Sequence, residues 1–165
     1  MVTIAPTDGA VINRRTNPRA SFAGFDIRPP GGTPRRWPTA FSCAMWNYLT
    51  QPFLFISPGV QARKIDPWQE EGETWRRLRV TFPASIATHC PERIFYYDAD
   101  GMQRHRDYAL EVNGMSPAAH YTSDPKTFGD LGLPTRRRVY RRNPDGTADV
   151  GVAASTIAIF DITLS

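Results

Sequence analysis

The sequence predicts an α+β domain, mostly β, in which a curved antiparallel sheet carries one main helix packed on its concave side. Short segments that alternate apolar and polar residues are separated by turn formers, such as Asp-Ala-Asp-Gly at 98–101 and Asn-Pro-Asp-Gly at 143–146. One segment alone, from Thr39 to Leu49, repeats its apolar residues at helical spacing. No linker or repeat interrupts the chain. We therefore expect a half-barrel or open barrel, formed by a single domain over residues 1–165.

The predicted helix begins at Thr39, a suitable N-cap after Pro38, and ends before Pro52. Its apolar positions are Phe41, Met45, Tyr48 and Leu49. A lone helix with an aromatic face has to lie against a sheet. Trp46 and Tyr48 are therefore candidates to line an apolar ligand pocket, and simple core packing is the alternative.

The remaining segments predict strands. Val2–Ala5 and Ala10–Arg14 suggest an N-terminal hairpin, followed by a third strand at Ala20–Ile27. Beyond the helix, strands are expected at Val60–Ile65, Trp75–Phe82, Arg93–Tyr97, Met102–Val112, Ala118–Thr122, Thr135–Arg142 and Thr156–Leu164. The alternation in the last strand predicts inward positions for Ala158, Phe160, Ile162 and Leu164.

Composition excludes several classes of protein. The net charge is +4, and Lys64 and Lys126 are the only lysines among 20 basic residues. Arginines suit phosphate and carboxylate partners, although a GC-rich genome also favours arginine codons. We expect no nucleic-acid partner, because no helix-turn-helix, finger or RNP pattern is present. No apolar run has the length of a membrane span, and the first residues do not resemble a signal peptide, so a cytoplasmic location is expected.

The Asp-Gly pair at 100–101 predicts a hairpin, with a loop of either two or four residues. A two-residue loop pairs Tyr96 with His105, and a four-residue loop shifts the pairing by two residues. In both registers one face of the hairpin carries Ile94, Tyr96, His105 and Asp107. A three-residue loop would divide this set between the two faces. Arg104 and Arg106 fall on the opposite face, where we expect ordinary surface.

These side chains are candidates for catalysis. His105 can act as a neutral base oriented by Asp107, and His120 is a second candidate acid or base. Tyr96 can donate a hydrogen bond to a carbonyl or enolate oxygen. The alternative is an exposed strand face of solvated polar groups. The histidines follow no ligand spacing, and Cys43 and Cys90 form no C-x-x-C pair, so neither a metal site nor a cofactor is predicted.

Three consecutive arginines, Arg136 to Arg138, alternate across a predicted strand. Arg137 is the candidate to point inward and hold a carboxylate or phosphate at the mouth of a pocket. Tyr121 is a further candidate to contact a ligand. At least one arginine of the three has to face solvent.

Several sequence blocks resemble those of a bacterial family of uncharacterised proteins. They are MWNYLTQPF at 45–53, PWQE at 67–70, ETWRRL at 73–78, AHY at 119–121, PTRRR at 134–138 and FDI at 160–162. The resemblance implies no activity. It implies additional N-terminal strands in other members, so the sheet of this chain is expected to be shorter or completed by a partner. The hairpin order also resembles the lipoprotein-carrier fold, a half-barrel whose pocket takes acyl chains.

Three functions remain open from the sequence. The first is a module that binds an apolar or amphipathic small molecule, with or without an acidic group, in the cavity of the sheet. The second is a cofactor-independent cyclase, isomerase or hydrolase in the same cavity, with His105 or His120 as acid or base and Tyr96 or Tyr121 as donor. The third is an interaction protein that pairs through a sheet edge, with a homodimer possible.

Overall fold

The computed structural model describes residues 2–4, 13–15, 37–86, 88, 90–110 and 115–162. Helix α1 spans Trp37–Leu54. The strands are β1 Val2–Ile4, β2 Asn13–Arg15, β3 Gln61–Glu70, β4 Glu73–Thr81, β5 Glu92–Tyr97, β6 Gln103–Leu110, β7 Ser116–Phe128, β8 Leu131–Arg142, β9 Ala148–Asp149 and β10 Ser155–Ala158.

The main sheet is an antiparallel meander in the order β3-β4-β5-β6-β7-β8-β10, and β9 pairs with the end of β8. Strands β3 and β10 are its edges, and no pairing joins them in the part of the chain that the structure describes, so the sheet is open. Strands β1 and β2 form a separate antiparallel pair, with Val2 opposite Arg15. The predicted class, α+β and mostly β with one main helix, is confirmed.

Helix α1 packs against one face of the sheet, which we call the helix face. It carries Phe95, Arg106 and His120, which are successive cross-strand partners on β5, β6 and β7. The opposite outer face carries Tyr96, His105 and Tyr121, which are partners in the same three strands. Because side chains alternate along a strand, every residue of these strands belongs to one face or the other.

The hydrophobic core lies on the helix face, at the C-terminal end of α1. Val80, Phe82 and Phe95 are its fully buried members. The ring of Phe55, just beyond α1, lies 5.0 Å from that of Phe95. Burial of a phenylalanine side chain stabilises the fold by about 2–3 kcal/mol, so these contacts attach the end of the helix to β4 and β5.

The β5–β6 hairpin has the predicted register by an unexpected route. Its loop holds three residues, because the Asp98 N–H donates to the Met102 carbonyl at 3.0 Å. Gly101 occupies the left-handed conformation that closes such a loop, with φ of 85°. A bulge beside Tyr97 then adds one residue and restores the pairing of Tyr96 with His105.

The β7–β8 hairpin is longer than predicted. The sequence predicted strands over Ala118–Thr122 and Thr135–Arg142, but Pro125 and Pro134 are direct partners across two longer strands. Neither proline has a backbone N–H to donate. Because the two face each other, both missing donors fall at a single position of the ladder, and the hairpin loses few hydrogen bonds. The strands therefore continue to a turn between Phe128 and Leu131.

Other boundaries also differ from expectation, including those at the end of α1 and of β10. Helix α1 continues past Pro52 to Leu54, since a proline in the last turn costs one hydrogen bond without ending the helix. Strand β10 ends at Ala158, and Phe160, expected inward, is 89% exposed. Leu164 and the strand expected at 20–27 lie outside the described residues. Within those residues, no helix combines the length and the apolar character that crossing a bilayer requires.

Candidate functional site

Asp107 is the centre of a polar cluster on the outer face. Its carboxylate accepts a hydrogen bond from the Tyr96 hydroxyl at 2.6 Å. The Nε2 atom of His105 and the Nε atom of Arg142 each lie 2.8 Å from a carboxylate oxygen. Neither of these two contacts has hydrogen-bond geometry. Asp107 is 5% exposed, so the cluster supplies the compensation that a buried carboxylate needs.

His105 is enclosed by aromatic rings. Its imidazole stacks between Tyr96 and Tyr121, with ring centres 4.3 Å away on each side. Trp75 meets it edge-on at 6.5 Å. The stack follows from the register, because these rings occupy directly opposite positions on adjacent strands. His105 has no exposed surface, so its ring is held in a fixed orientation away from solvent.

The two tyrosines of this stack are neutral donors. Burial, followed by the charge and hydrogen bond of Asp107, raises the pKa of Tyr96 to about 12. Tyr121 donates to a Glu70 oxygen at 2.5 Å, and burial and Glu70 raise its pKa. Neither phenol ionises near neutral pH. Their hydroxyls therefore donate hydrogen bonds to carboxylates, and neither phenol acts as a base near neutral pH.

Three arginines are buried on the helix face: Arg93, Arg106 and Arg137. Burial, followed by the charge of Arg106, lowers the pKa of both Arg93 and Arg137. The guanidinium carbons of Arg106 and Arg137 lie 4.2 Å and 4.5 Å from the ring centre of Tyr48 on α1. We call these three residues the arginine cluster. It lies between the helix and the sheet.

His120 belongs to this cluster. Its Nδ1 atom accepts from the Arg106 guanidinium, with Nη2 at 3.0 Å and Nε at 3.3 Å. Burial lowers the pKa of His120 well below its usual value, and the charges of Arg106 and Arg137 lower it further. The imidazole is therefore neutral and serves as an acceptor for arginine.

A pocket of about 510 Å³ opens on the helix face beyond the end of α1. It is lined by Phe55, Lys64, Arg76, Arg77, Leu78, Tyr97 and Gly101. The apolar members continue the hydrophobic core. Arg76 donates to the carbonyls of Asp98 and Ala99, and Lys64 lies exposed on edge strand β3. Neither side chain makes an ion pair with another described residue.

The structure divides the residues that the sequence suggested for one site. Tyr96, His105, Asp107 and Tyr121 come together on the outer face, and Tyr48, His120 and Arg137 lie on the helix face. Trp46 is on α1 and is 43% exposed. The two histidines thus lie on opposite sides of the sheet, and neither lines the pocket. The described residues contain no group of three or more ligands suited to a metal ion.

Sequence reasoning placed Arg106 on ordinary surface, and this is wrong. Arg106 is 2% exposed because its face is the one that α1 covers. Strand alternation could have indicated this burial. Arg106 lies on the same face of β6 as the aromatic Tyr108, and it pairs with Phe95 on β5. Gln51, which accepts from Arg106 at 2.9 Å, was also missed, although it follows Asn47 by one helical turn.

Comparison with known proteins does not assign this chain to a family. No family model matches the chain, and no curated protein matches it. Among solved structures, the chain is similar to a DUF1329 family protein from Desulfovibrio piger, with a TM-score of 0.39 and 16% sequence identity. The match covers 56% of this chain and 42% of that one, so this chain spans less than half of that protein. A likeness of this size is a resemblance to an uncharacterised family at low identity and carries no argument about function.

Proposed function

We propose that this domain binds a small amphipathic acid in the pocket beyond the end of α1. The observation that carries the proposal is the composition of the pocket wall. Phe55, Leu78 and Tyr97 supply an apolar surface, and Lys64 and Arg76 add cations that have no carboxylate partner among the described residues. An apolar wall with a few polar anchors is the usual composition of a small-molecule site.

The proposed orientation follows from the charges. The hydrocarbon part of the ligand contacts Leu78 and Phe55, where burial of apolar surface supplies most of the affinity. The acid group lies toward Lys64, whose flexible side chain can reach it from the edge strand. The volume of about 510 Å³ is in the ordinary range for sites of this kind.

Binding is favoured over catalysis because the candidate acid–base groups do not reach the pocket. His105 and His120 are both 0% exposed. Their ring nitrogens approach Asp107 and Arg106, which are also buried. Among the described residues that line the pocket, a ligand therefore meets hydrophobic and cationic groups and neither of the two histidines.

The test is calorimetric titration of the full chain with dodecanoate, and with dodecanol as the uncharged analogue. We expect dodecanoate to bind more tightly. Lys64→Glu should weaken dodecanoate binding about tenfold, because charge reversal removes one attraction and adds one repulsion of about 0.5–1 kcal/mol each.

Arg63→Glu is the matched control. Arg63 is exposed, is adjacent to Lys64 and points to the other face of β3, so the same change in net charge occurs away from the pocket. Its effect on dodecanoate binding should be less than twofold on this account. Equal losses in the two variants, or no dodecanoate binding by the wild type, would reject the proposal.

A further inference from the structure

The arginine cluster holds positive charge that no described carboxylate balances. Arg93, Arg106 and Arg137 are 5%, 2% and 2% exposed. Every ion pair found among the described residues involves other arginines, a lysine or His105. Removing a guanidinium from water without a counter-charge is strongly unfavourable. A buried group of three therefore indicates that an anion belongs with them.

Two of the three arginines have neutral partners. Arg93 donates to the Asn47 side chain and the Cys90 carbonyl, each at 3.3 Å, and to the Thr88 hydroxyl. Arg106 donates to Gln51 and His120. These acceptors satisfy N–H groups but carry no charge. The hydrogen bonds hold the guanidinium groups in place, but they do not offset the cost of burying positive charge without a negative counter-charge.

Arg137 differs from the other two. Its Nε and Nη1 atoms are buried and have no hydrogen-bond partner among the described residues. Its guanidinium instead lies over the Tyr48 ring, at 4.5 Å. Buried polar groups are nearly always hydrogen-bonded, so two open N–H groups on one buried cation are an unusual feature.

Two further unpartnered atoms in this region are donors as well. Since His120 Nδ1 accepts from Arg106, its neutral ring carries the hydrogen on Nε2. In the part of the chain that the structure describes, neither this Nε2 atom nor the Nε2 amide group of Gln51 has a hydrogen-bond partner. The unpartnered atoms of Arg137, His120 and Gln51 thus all require acceptors.

We propose that this cluster binds the phosphate group of a free phosphate or a phosphate monoester, between α1 and the sheet. Arg137 and Arg106 hold the phosphate oxygens, and His120 and Gln51 donate to it. Charge favours phosphate over a carboxylate, because a phosphate monoester carries between one and two negative charges at neutral pH and offers more acceptor oxygens.

The site is independent of the amphipathic-acid pocket. None of its residues lines that pocket, and the pocket lies beyond the end of α1. Because the ligand would contact both α1 and the sheet, its binding should stabilise the folded state against the unfolded one.

The first experiment is thermal unfolding of the full chain in sodium phosphate, sodium acetate and sodium chloride at equal ionic strength and pH. Phosphate at about 100 times its Kd should raise Tm by about 5–10 °C over chloride. Absence of a phosphate effect beyond chloride would overturn the proposal. A larger effect of acetate would overturn the assignment to phosphate.

Arg137→Met and Arg138→Met form the matched pair of variants. Arg138 is adjacent, exposed and on the outer face, so its replacement should leave the phosphate effect intact. Arg137→Met should weaken phosphate binding at least about tenfold, since two charge-assisted hydrogen bonds are lost. In phosphate-free buffer it should be at least as stable as the wild type, because an unbalanced buried charge is gone.

Arg137→Lys is the alternative variant if Arg137→Met does not fold. Lysine keeps the positive charge but lacks the planar guanidinium that donates two parallel hydrogen bonds, so phosphate binding should be weaker than in the wild type. Equal phosphate effects in Arg137→Lys and the wild type would count against the role of Arg137.

³¹P NMR of the material released when the purified protein is denatured in acid identifies the bound phosphate compound. A signal of inorganic phosphate identifies the free ion, and a monoester signal identifies a phosphorylated metabolite. Either signal at one equivalent supports the site, provided that it is lost in Arg137→Met and kept in Arg138→Met.

Discussion

At the residue scale, strand parity assigns opposite roles to neighbouring side chains of the same type. Arg136 is exposed and lies 3.5 Å from an Asp124 oxygen, and Arg138 is also exposed. Arg137, between them, is almost completely buried beside Tyr48. The same amino acid is therefore a solvated surface charge at two positions and a buried cation at the third.

The hydrogen bond from Tyr96 to Asp107 gives a prediction at this scale. Tyr96→Phe keeps the ring and removes the donor to a buried carboxylate, so it should lower the free energy of unfolding by about 1–3 kcal/mol at pH 7. Tyr140→Phe is the control, because Tyr140 is half-buried and contacts Tyr121 through its ring. Urea denaturation of both variants measures the difference, and equal losses would contradict the expectation.

Burial of Tyr96, followed by the charge and the hydrogen bond of Asp107, makes part of the stability depend on pH. The pKa of Tyr96 is raised to about 12 in the folded state, above its ordinary value of 10. Its contribution is therefore fully present below pH 10 and is lost as the pH rises from 10 to 12. The stability difference between the wild type and Tyr96→Phe should narrow in that interval. Urea midpoints at pH 8, 10 and 11 test this, and a constant difference would be evidence against it.

At the element scale, the β5–β6 hairpin shows how a turn and a bulge together set the register. A three-residue loop by itself would have moved His105 and Tyr96 to opposite faces. The bulge beside Tyr97 compensates for the extra loop residue. The stacking around His105 therefore depends on two local irregularities that cancel.

Gly101 provides the test of this element. Its φ of 85° lies in the left-handed region, so Gly101→Ala should cost about 1–2 kcal/mol. Gly132→Ala is the control, because Gly132 lies in β8 and an added Cβ would meet Met102 atoms only at 3.7 Å or more. Thermal unfolding of the two variants should show a lower Tm for Gly101→Ala alone. A similar loss in Gly132→Ala would contradict the argument.

At the scale of the whole molecule, α1 and the open sheet form two kinds of contact. The C-terminal end of the helix joins an apolar core at Val80 and Phe95. The preceding turns meet the arginine cluster through Asn47, Tyr48 and Gln51. Attachment of the helix thus combines hydrophobic burial at its C-terminal end with a charged interface over residues 47–51.

Phe95→Ala tests the apolar end. Phe95 is 0% exposed, so its removal should cost about 3–5 kcal/mol, a large part of the stability of a domain of this size. Phe160→Ala, at a residue that is 89% exposed, should change stability by less than about 0.5 kcal/mol. Chemical denaturation followed by tryptophan fluorescence measures both. A cost below about 1 kcal/mol at Phe95 would show that the core lies elsewhere.

The sequence by itself determined the class of fold and the existence of α1, because these depend on local periodicity and turn chemistry, which act over a few residues. It predicted the pairing of Tyr96 with His105, but not the three-residue loop and the bulge that together produce this pairing. It did not determine the lengths of β7 and β8, because the effect of Pro125 depends on its partner Pro134 across the ladder.

Only the tertiary structure decided which face the helix covers. That choice buries Arg106, Arg137 and His120 beneath α1. The separation of His120 from His105 follows instead from the register of β6 and β7. Strand alternation defines two faces without saying which one is covered, since both carry aromatic and charged residues here. The choice depends on the long-range packing of α1. The arginine cluster with His120 is therefore defined only by the contact between the helix and the sheet.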